Sequence, residues 1–275
     1  MVIIENNYLK VKISELGGEI KSIFDKNNNR ELLYDGSGFW KSTDHILFPF
    51  IGPGSSYRIE GKEYSCPTQH GFVRTSLIKT DRIFKDKAVM YLESDSETQK
   101  IYPYEFRLTI EYSLKMRSLI RRYVIKSTSG KEMPFMIGDH PAYRIDFSKV
   151  EFHFNRPNIK YLPRPNFILQ SPVNFISGRK YRPSKNDFRR YETIVLKNDN
   201  LMLILDTGLG TDISFHLTSP YIAIWSSLDE DDSYICVEPW WGLPPYKDMP
   251  EEIKDRKAIN KTDSELSFSS QIDFN

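Results

Sequence analysis

The stretch Phe106-Arg107-Leu108-Thr109-Ile110-Glu111-Tyr112-Ser113-Leu114 alternates apolar and polar residues without a break. A side-chain period of two belongs to an extended strand with one face in a core and the other toward water. Leu9–Ile13 and Ile213–Leu217 repeat the pattern, while Leu201–Leu205 and Tyr221–Trp225 are continuous apolar runs that predict strands covered on both faces. Helical periodicity is nearly absent; the best candidate is Met249–Asp255, with proline near its first turn and acids at the positive end of the dipole. Reversals are expected at Asp25–Asn29, Asp35–Gly38 and Ser127–Gly130, where Asp, Asn, Ser and Gly suit turn geometry. Asn155–Arg190 carries Pro157, Pro163, Pro165, Pro172 and Pro183 and reads as a long loop excursion over a sheet, because strand patterns resume beyond it. With no fixed-period repeat and no break in composition, the expectation is an all-β fold. It takes the form of one large antiparallel sandwich of two big sheets, a single domain over residues 1–275.

Charge is balanced, 38 Lys+Arg against 37 Asp+Glu, so no net field draws the chain to nucleic acid or an anionic membrane. A small neutral or singly charged ligand fits better. The 17 Phe, 16 Tyr and 4 Trp favour strands and supply flat amphipathic surfaces for stacking. Two cysteines, Cys66 and Cys236, make neither a disulfide framework nor a CxxC pair, which fits a reducing compartment. No apolar leader or membrane-length segment is visible, and a cytoplasmic protein, monomer or homodimer, is expected.

The acidic residue that stands out is Glu238, in Cys236-Val237-Glu238-Pro239-Trp240-Trp241, at the end of a run that reads as a buried strand. A carboxylate there has a raised pKa or a specific partner, as a general acid or base requires, unless it is a surface Glu after an edge strand. His70, in Gln69-His70-Gly71-Phe72-Val73-Arg74, has a glycine that permits close backbone approach and an arginine able to bind hydroxyls or anions. His140, in Gly138-Asp139-His140-Pro141, is delivered to a strand end. Either histidine could instead be a hydrogen-bonded structural residue. His153 and His216 alternate with apolar neighbours and read as solvated strand residues, and His45 is undecided. One carboxylate and two imidazoles suit paired acid and base catalysis. They could also bind a metal, but no HxH or HExxH spacing supports one and no metal is expected. There is no GxSxG elbow for a nucleophile, and Gly52-Pro53-Gly54-Ser55-Ser56 lacks the lysine of a phosphate loop.

Taken in order, Ile46-Leu47-Phe48-Pro49, Gly61-Lys62-Glu63-Tyr64, Gln69-His70-Gly71-Phe72-Val73-Arg74, Gly138-Asp139-His140-Pro141-Ala142-Tyr143 and Cys236-Val237-Glu238-Pro239-Trp240 resemble the aldose 1-epimerase (galactose mutarotase-like) superfamily, in its LacX-like branch. The resemblance runs over nearly the whole chain. It implies a β-supersandwich with a sugar cleft on one sheet and a cofactor-free interconversion of hexose anomers. Glu238 is then the base toward the anomeric hydroxyl, His140 the acid toward the ring oxygen, and His70 a sugar ligand that helps polarise that oxygen. Trp240 belongs to the matched motif and is expected to bind the sugar. Such sequences usually carry arginine after the glycine of the Phe-Pro-x-x-Gly segment, where this chain has Pro53, so Arg58 or Arg74 is expected to supply the guanidinium. Asp187 and Glu192 are weak counterparts of the acidic sugar-binding residue, and Asp139 is expected to perturb His140. A hexose 6-phosphate substrate and a non-catalytic carbohydrate-binding role are the alternatives.

Overall fold

A computed structural model describes residues 1–275. The long alternating stretch forms the strand Phe106–Lys115, its residues switching between buried and half-exposed along its length. It pairs antiparallel with Ser118–Ser127 and Lys87–Glu93 inside a nine-stranded sheet that runs from Lys79–Ile83 at one edge to Lys180–Tyr181 at the other. An eight-stranded sheet contains Ile46–Leu47, Ile137–Asp139, Tyr234–Trp241, Tyr221–Trp225 and Ile194–Lys197 as successive neighbours. A single cluster of 54 buried residues draws Leu108, Ile110 and Phe215 from the first sheet and Ile224, Ile235 and Val237 from the second, and this shared core makes the sandwich. A four-stranded sheet beginning at Val2 adds Ile4, Leu9 and Val11 to it. No helix is long and apolar enough to cross a membrane.

Three expectations change. Met249–Asp255 is no α-helix, only a 3-10 turn at Ile253–Asp255. Asn155–Arg190 is not mainly loop: Ile159–Leu162 and Val173–Ile176 extend the eight-stranded sheet, Lys180–Tyr181 edges the other, and Lys185–Tyr191 is an α-helix capped by Ser184 and Asp187. Its prolines fall between these short elements, where they cost no ladder bond. Leu201–Leu205 yields only the strand Leu203–Asp206, with Leu203 and Leu205 inward and Met202 and Ile204 exposed, because its sheet turns one face to the core and the other outward, as its interior strands Phe106–Lys115 and Ser118–Ser127 also show. Tyr221–Trp225, by contrast, is buried on both faces at Ile222, Ala223 and Ile224.

The two sheets are also joined by charge. Arg121, on Ser118–Ser127, donates from Nη1 to Asp139 Oδ1 at 2.9 Å and from Nη2 to Asp44 Oδ2, all three side chains being buried. Asp139 accepts further bonds from Tyr123 and from Ser270 Oγ at 3.1 Å, and Asp44 accepts the Ile20 N–H at 3.2 Å. Removing one member strands the others as uncompensated buried charge, which typically costs about 3–5 kcal/mol. Arg121→Met is therefore expected to lower stability by about that amount in urea denaturation, and Asp44→Asn/Arg121→Met/Asp139→Asn to recover most of the loss.

Candidate active site

The strand Tyr234–Trp241 is buried throughout, and its two faces differ. Ile235, Val237 and Trp241 enter the sandwich core, where Trp241 packs on Phe268 with ring centroids 5.6 Å apart. Tyr234, Cys236, Glu238 and Trp240 face the other way, by the alternation of a strand. The register decides what Glu238 meets. Gly138 lies opposite Trp240 and Ala142 opposite Cys236, so the same antiparallel register sets His140 opposite Glu238. Directly opposed residues have close side chains, and His140 Nε2 lies 3.3 Å from Glu238 Oε1. On the other flank Glu238 faces Ala223.

A second device brings in more imidazoles. The sequence contains Asp44-His45 and Asp139-His140, on adjacent segments tied by the His140 N–H donating to His45 O at 2.9 Å. In each pair the aspartate turns inward to Arg121 and the histidine to the opposite face, leaving the His45 and His140 rings 6.2 Å apart. Asp139 thus holds the far side of the strand, and His140's pKa is lowered by burial, opposed by a backbone hydrogen bond and lowered a little further by the Arg74 charge. His70 arrives from a loop in left-handed backbone at φ 64°, followed by Gly71 at φ 79°, where a Cβ would stand 2.0 Å from Phe48 O. That turn demands glycine. The Gly52 N–H donates to His70 Nδ1 at 3.1 Å, Nε2 meets the Gln69 side-chain amide at 3.1 Å, and the ring stands 5.6 Å from that of His140. Trp40 and Trp225 complete the wall around His140, with centroids at 5.0 and 5.5 Å.

The remaining expected residues divide. Trp240 is buried and donates Nε1–H to Glu238 Oε2 at 3.1 Å, so it orients the carboxylate. Arg74 is half-buried in the turn Val73–Thr75, and its charge bears on His45, His70 and His140. Arg58 is not brought to this group: it is exposed on the strand Ser55–Ile59 and paired with Glu251 at 3.1 Å. The guanidinium that does approach Glu238 is Arg164, which the sequence reading passed over. It is buried, bonds Thr193 Oγ1 from Nη1 at 3.2 Å, and leaves its Nε without a partner. Its charge favours ionised Glu238. Asp187 is occupied in capping its helix through Ser184, whereas Glu192 keeps a buried Oε2 without a partner. Trp40, Trp225 and His45 were also missed as a set; the repeated Asp-His pair was the one signal that could have found His45. His153 and His216 pair with Glu151 at 3.2 Å and Asp273 at 2.8 Å, as strand-surface residues do.

Burial dominates the chemistry. It pushes the Glu238 carboxyl well above its ordinary range, opposed by the Trp240 hydrogen bond and the Arg164 charge, and pushes His140 down to about 3. Both shifts disfavour charge, so the resting pair keeps one proton, on Glu238 or transferred to His140 across the 3.3 Å contact. Either arrangement is net neutral. The transferred form, carboxylate beside imidazolium, is a base and an acid side by side. His140, Cys236 and Glu238 also offer nitrogen, sulfur and oxygen within 4.8 Å of one another, but burial drives the thiol strongly toward its protonated form, which disfavours it as a metal ligand.

A family model described as aldose 1-epimerase matches residues 1–251. The plasmid-borne Protein LacX of Lactococcus lactis subsp. lactis is 25% identical over 94% of this chain and 93% of its own length. Among solved structures, a galactose mutarotase related enzyme from Lactobacillus acidophilus superposes with a TM-score of 0.93 at 23% identity, covering 99% of this chain and 96% of the other. A galactose mutarotase-like protein from Lactobacillus casei gives 0.93 at 24% identity over 100% of both chains. A galactose 1-epimerase from Lactobacillus acidophilus gives 0.77 at 12% identity, covering 99% and 93%.

The shifts fix a sign for stability. Glu238 is protonated in the native chain over a range where the unfolded chain has released its proton, so its contribution is fully present below about pH 4.5 and is lost as pH rises through the native pKa. Glu238→Gln is therefore expected to gain stability relative to the parent between pH 5 and 8, by about 1–3 kcal/mol, in denaturation measured across pH.

Proposed function

The chain belongs to the aldose 1-epimerase family, in its LacX-like branch, and on that premise we propose that it interconverts the α and β anomers of a free hexose, with Glu238 as base and His140 as acid. The observation that carries this reading is the 3.3 Å cross-strand contact between them. In a pyranose the anomeric hydroxyl and the ring oxygen are both bonded to C1, so two groups in contact with one another can reach both. The Glu238 carboxylate takes the anomeric proton while the His140 imidazolium protonates the ring oxygen. The C1–O5 bond breaks and the open-chain aldehyde forms. After rotation about C1–C2 the returning hydroxyl gives its proton to His140, Glu238 returns a proton to the carbonyl oxygen, and the other anomer is released. The pair regains its single proton, and no electron or group is transferred. Arg74 supplies donors to the sugar oxygens, joined by His70 where its Nε2 exchanges the Gln69 side chain for the sugar; Trp40 and Trp225 exclude water and offer faces for the ring.

A hexose 6-phosphate is the second reading, favoured by the buried Arg164 with its unpartnered Nε and by the half-buried Arg74, whose charges both bear on His70. Turnover of sugar 6-phosphates but not of free sugars, falling as salt rises, would select it.

Glu238→Gln and His140→Asn are each expected to slow polarimetric anomer equilibration by about 10²–10⁴-fold while leaving sugar affinity within a few-fold. Unchanged turnover in Glu238→Gln would remove Glu238 as base, whereas a parent that binds sugar without accelerating equilibration would leave a carbohydrate-binding role. The parent's kcat/KM is expected to stay level through pH 6.5, where an ordinary histidine would titrate, and to fall on two sides: as pH approaches the low value set for His140, where the pair gains a second proton, and as pH rises through the raised pKa of Glu238, where it loses its single one.

A further inference from the structure

Glu238 and His140 are two of the polar side chains that the eight-stranded sheet turns outward, and a third stands in line with them. The strands Tyr234–Trp241, Ile137–Asp139 and Ile46–Leu47 are successive neighbours. Gly138 lies opposite Leu47 and Asp139 opposite Ile46, so the register that sets His140 opposite Glu238 on one side sets it opposite His45 on the other. Glu238, His140 and His45 therefore form one row across three adjacent segments, which neighbour one another at about 4.8 Å.

Nothing structural requires an imidazole at position 45. The backbone oxygen accepts the His140 N–H, a bond that any residue could take. The ring meets Trp40 edge to face at 5.4 Å and 88°, a contact that an apolar side chain could equally supply. Yet Nε2 is buried without a hydrogen-bond partner, on a side chain whose residue is only 6% exposed. A buried polar atom left unpaired is costly and uncommon. The ring lies 6.2 Å from that of His140, which in turn stands 5.6 Å from that of His70, so the three imidazoles form one cluster. Burial, with the charges of Arg74, His140 and Lys21, holds His45 down to about 2, which leaves a neutral ring with one donor and one acceptor nitrogen.

The order of this row matches the order of atoms in a pyranose. The ring oxygen is bonded to C1 and C5 alone. With Glu238 at the C1 hydroxyl and His140 at the ring oxygen, a group on the far side of His140 from Glu238 meets the substituent of C5, which in an aldohexose is the hydroxymethyl group. We propose that His45 is a specificity-determining residue that hydrogen-bonds the 6-hydroxyl of the hexose through Nε2, so that the site favours hexoses over pentoses and 6-deoxyhexoses. A hydroxyl both donates and accepts, so either tautomer of His45 pairs with it. This inference rests on the epimerase reading of Glu238 and His140.

The test measures kcat/KM by polarimetry for each free hexose turned over and for its 6-deoxy and pentose counterparts. A site built to pair a hydroxyl rejects the analogue lacking it, and the parent is expected to favour the hexose by about 10–100-fold. In His45→Leu, and in His45→Ala, which removes the ring without adding bulk, that ratio is expected to collapse to within about threefold of one. The ratio of the hexose to its 2-deoxy counterpart, altered on the Glu238 side of the ring, is expected to stay within about twofold of the parent's. Each ratio is taken within one enzyme and does not depend on how much of a variant is folded. No preference for the 6-hydroxyl in the parent, a preference that survives both substitutions, or an equal collapse of the 2-deoxy ratio would overturn the assignment. If no sugar is turned over, the epimerase reading fails separately, and calorimetric titration with the same sugars decides His45. Tighter binding of the hexose than of its 6-deoxy counterpart, with the excess lost in His45→Leu, upholds it; equal binding, or none, overturns it.

Discussion

The buried guanidinium of Arg121, held between Asp44 and Asp139, ties the two sheets together at the point where the candidate site is built. A charge so placed would be prohibitive alone; two carboxylates, Tyr123, Ser270 and the Ile20 N–H satisfy the cluster from several directions. Its consequence for function is geometric. In extended chain, neighbouring residues point to opposite faces. Anchoring Asp44 and Asp139 inward therefore presents His45 and His140 outward, on adjacent segments joined by a backbone hydrogen bond. An apolar pair in place of the aspartates could fill the space, but it would not select one rotation of the two segments as sharply as a forked donor between two acceptors.

On the opposite face the governing term is desolvation. Glu238 and His140 are both buried, and in both the uncharged form is favoured. Two groups each reluctant to be charged, in contact, retain a single mobile proton between them. That is the inventory a reaction needs if it must take a proton from one oxygen and give one to another on the same carbon. Burial of Glu238 costs native stability at neutral pH, a cost characteristic of sites whose ionisable groups serve chemistry rather than the fold. Trp240 and Arg164 limit it by favouring the carboxylate from either side.

Much of this was legible before the fold was seen. Strands announce themselves through a period of two, and Glu238, His70 and His140 through polar residues at the ends of apolar runs. Arg58 and Arg164 show why other parts were not. Arg58 follows the Phe-Pro segment closely in sequence, yet its hairpin carries it out to Glu251. Arg164 lies in a proline-rich stretch with no local signature, and it reaches the vicinity of Glu238 because Ile159–Leu162 adds to the same sheet two strands away from Tyr221–Trp225. Trp40 follows the Gly-rich turn at Asp35–Gly38; that turn is held because Gly38 N–H donates to Tyr34, whose hydroxyl donates to Asp232 at 2.9 Å. Contacts between residues 198 positions apart leave no local trace.

The sequence alone determined the class of fold, the strand faces and the kinds of chemical group available, because alternation, turn residues and residue type are local properties that each act within a few positions. It also carried, in the order of its motifs, the family to which the chain belongs. What only the tertiary structure decided is register and return path. A shift of one residue between Tyr234–Trp241 and its partner would turn His140 away from Glu238. The pairing that prevents this is set by the packing of both sheets and the Arg121 ion cluster, which join residues from opposite ends of the chain.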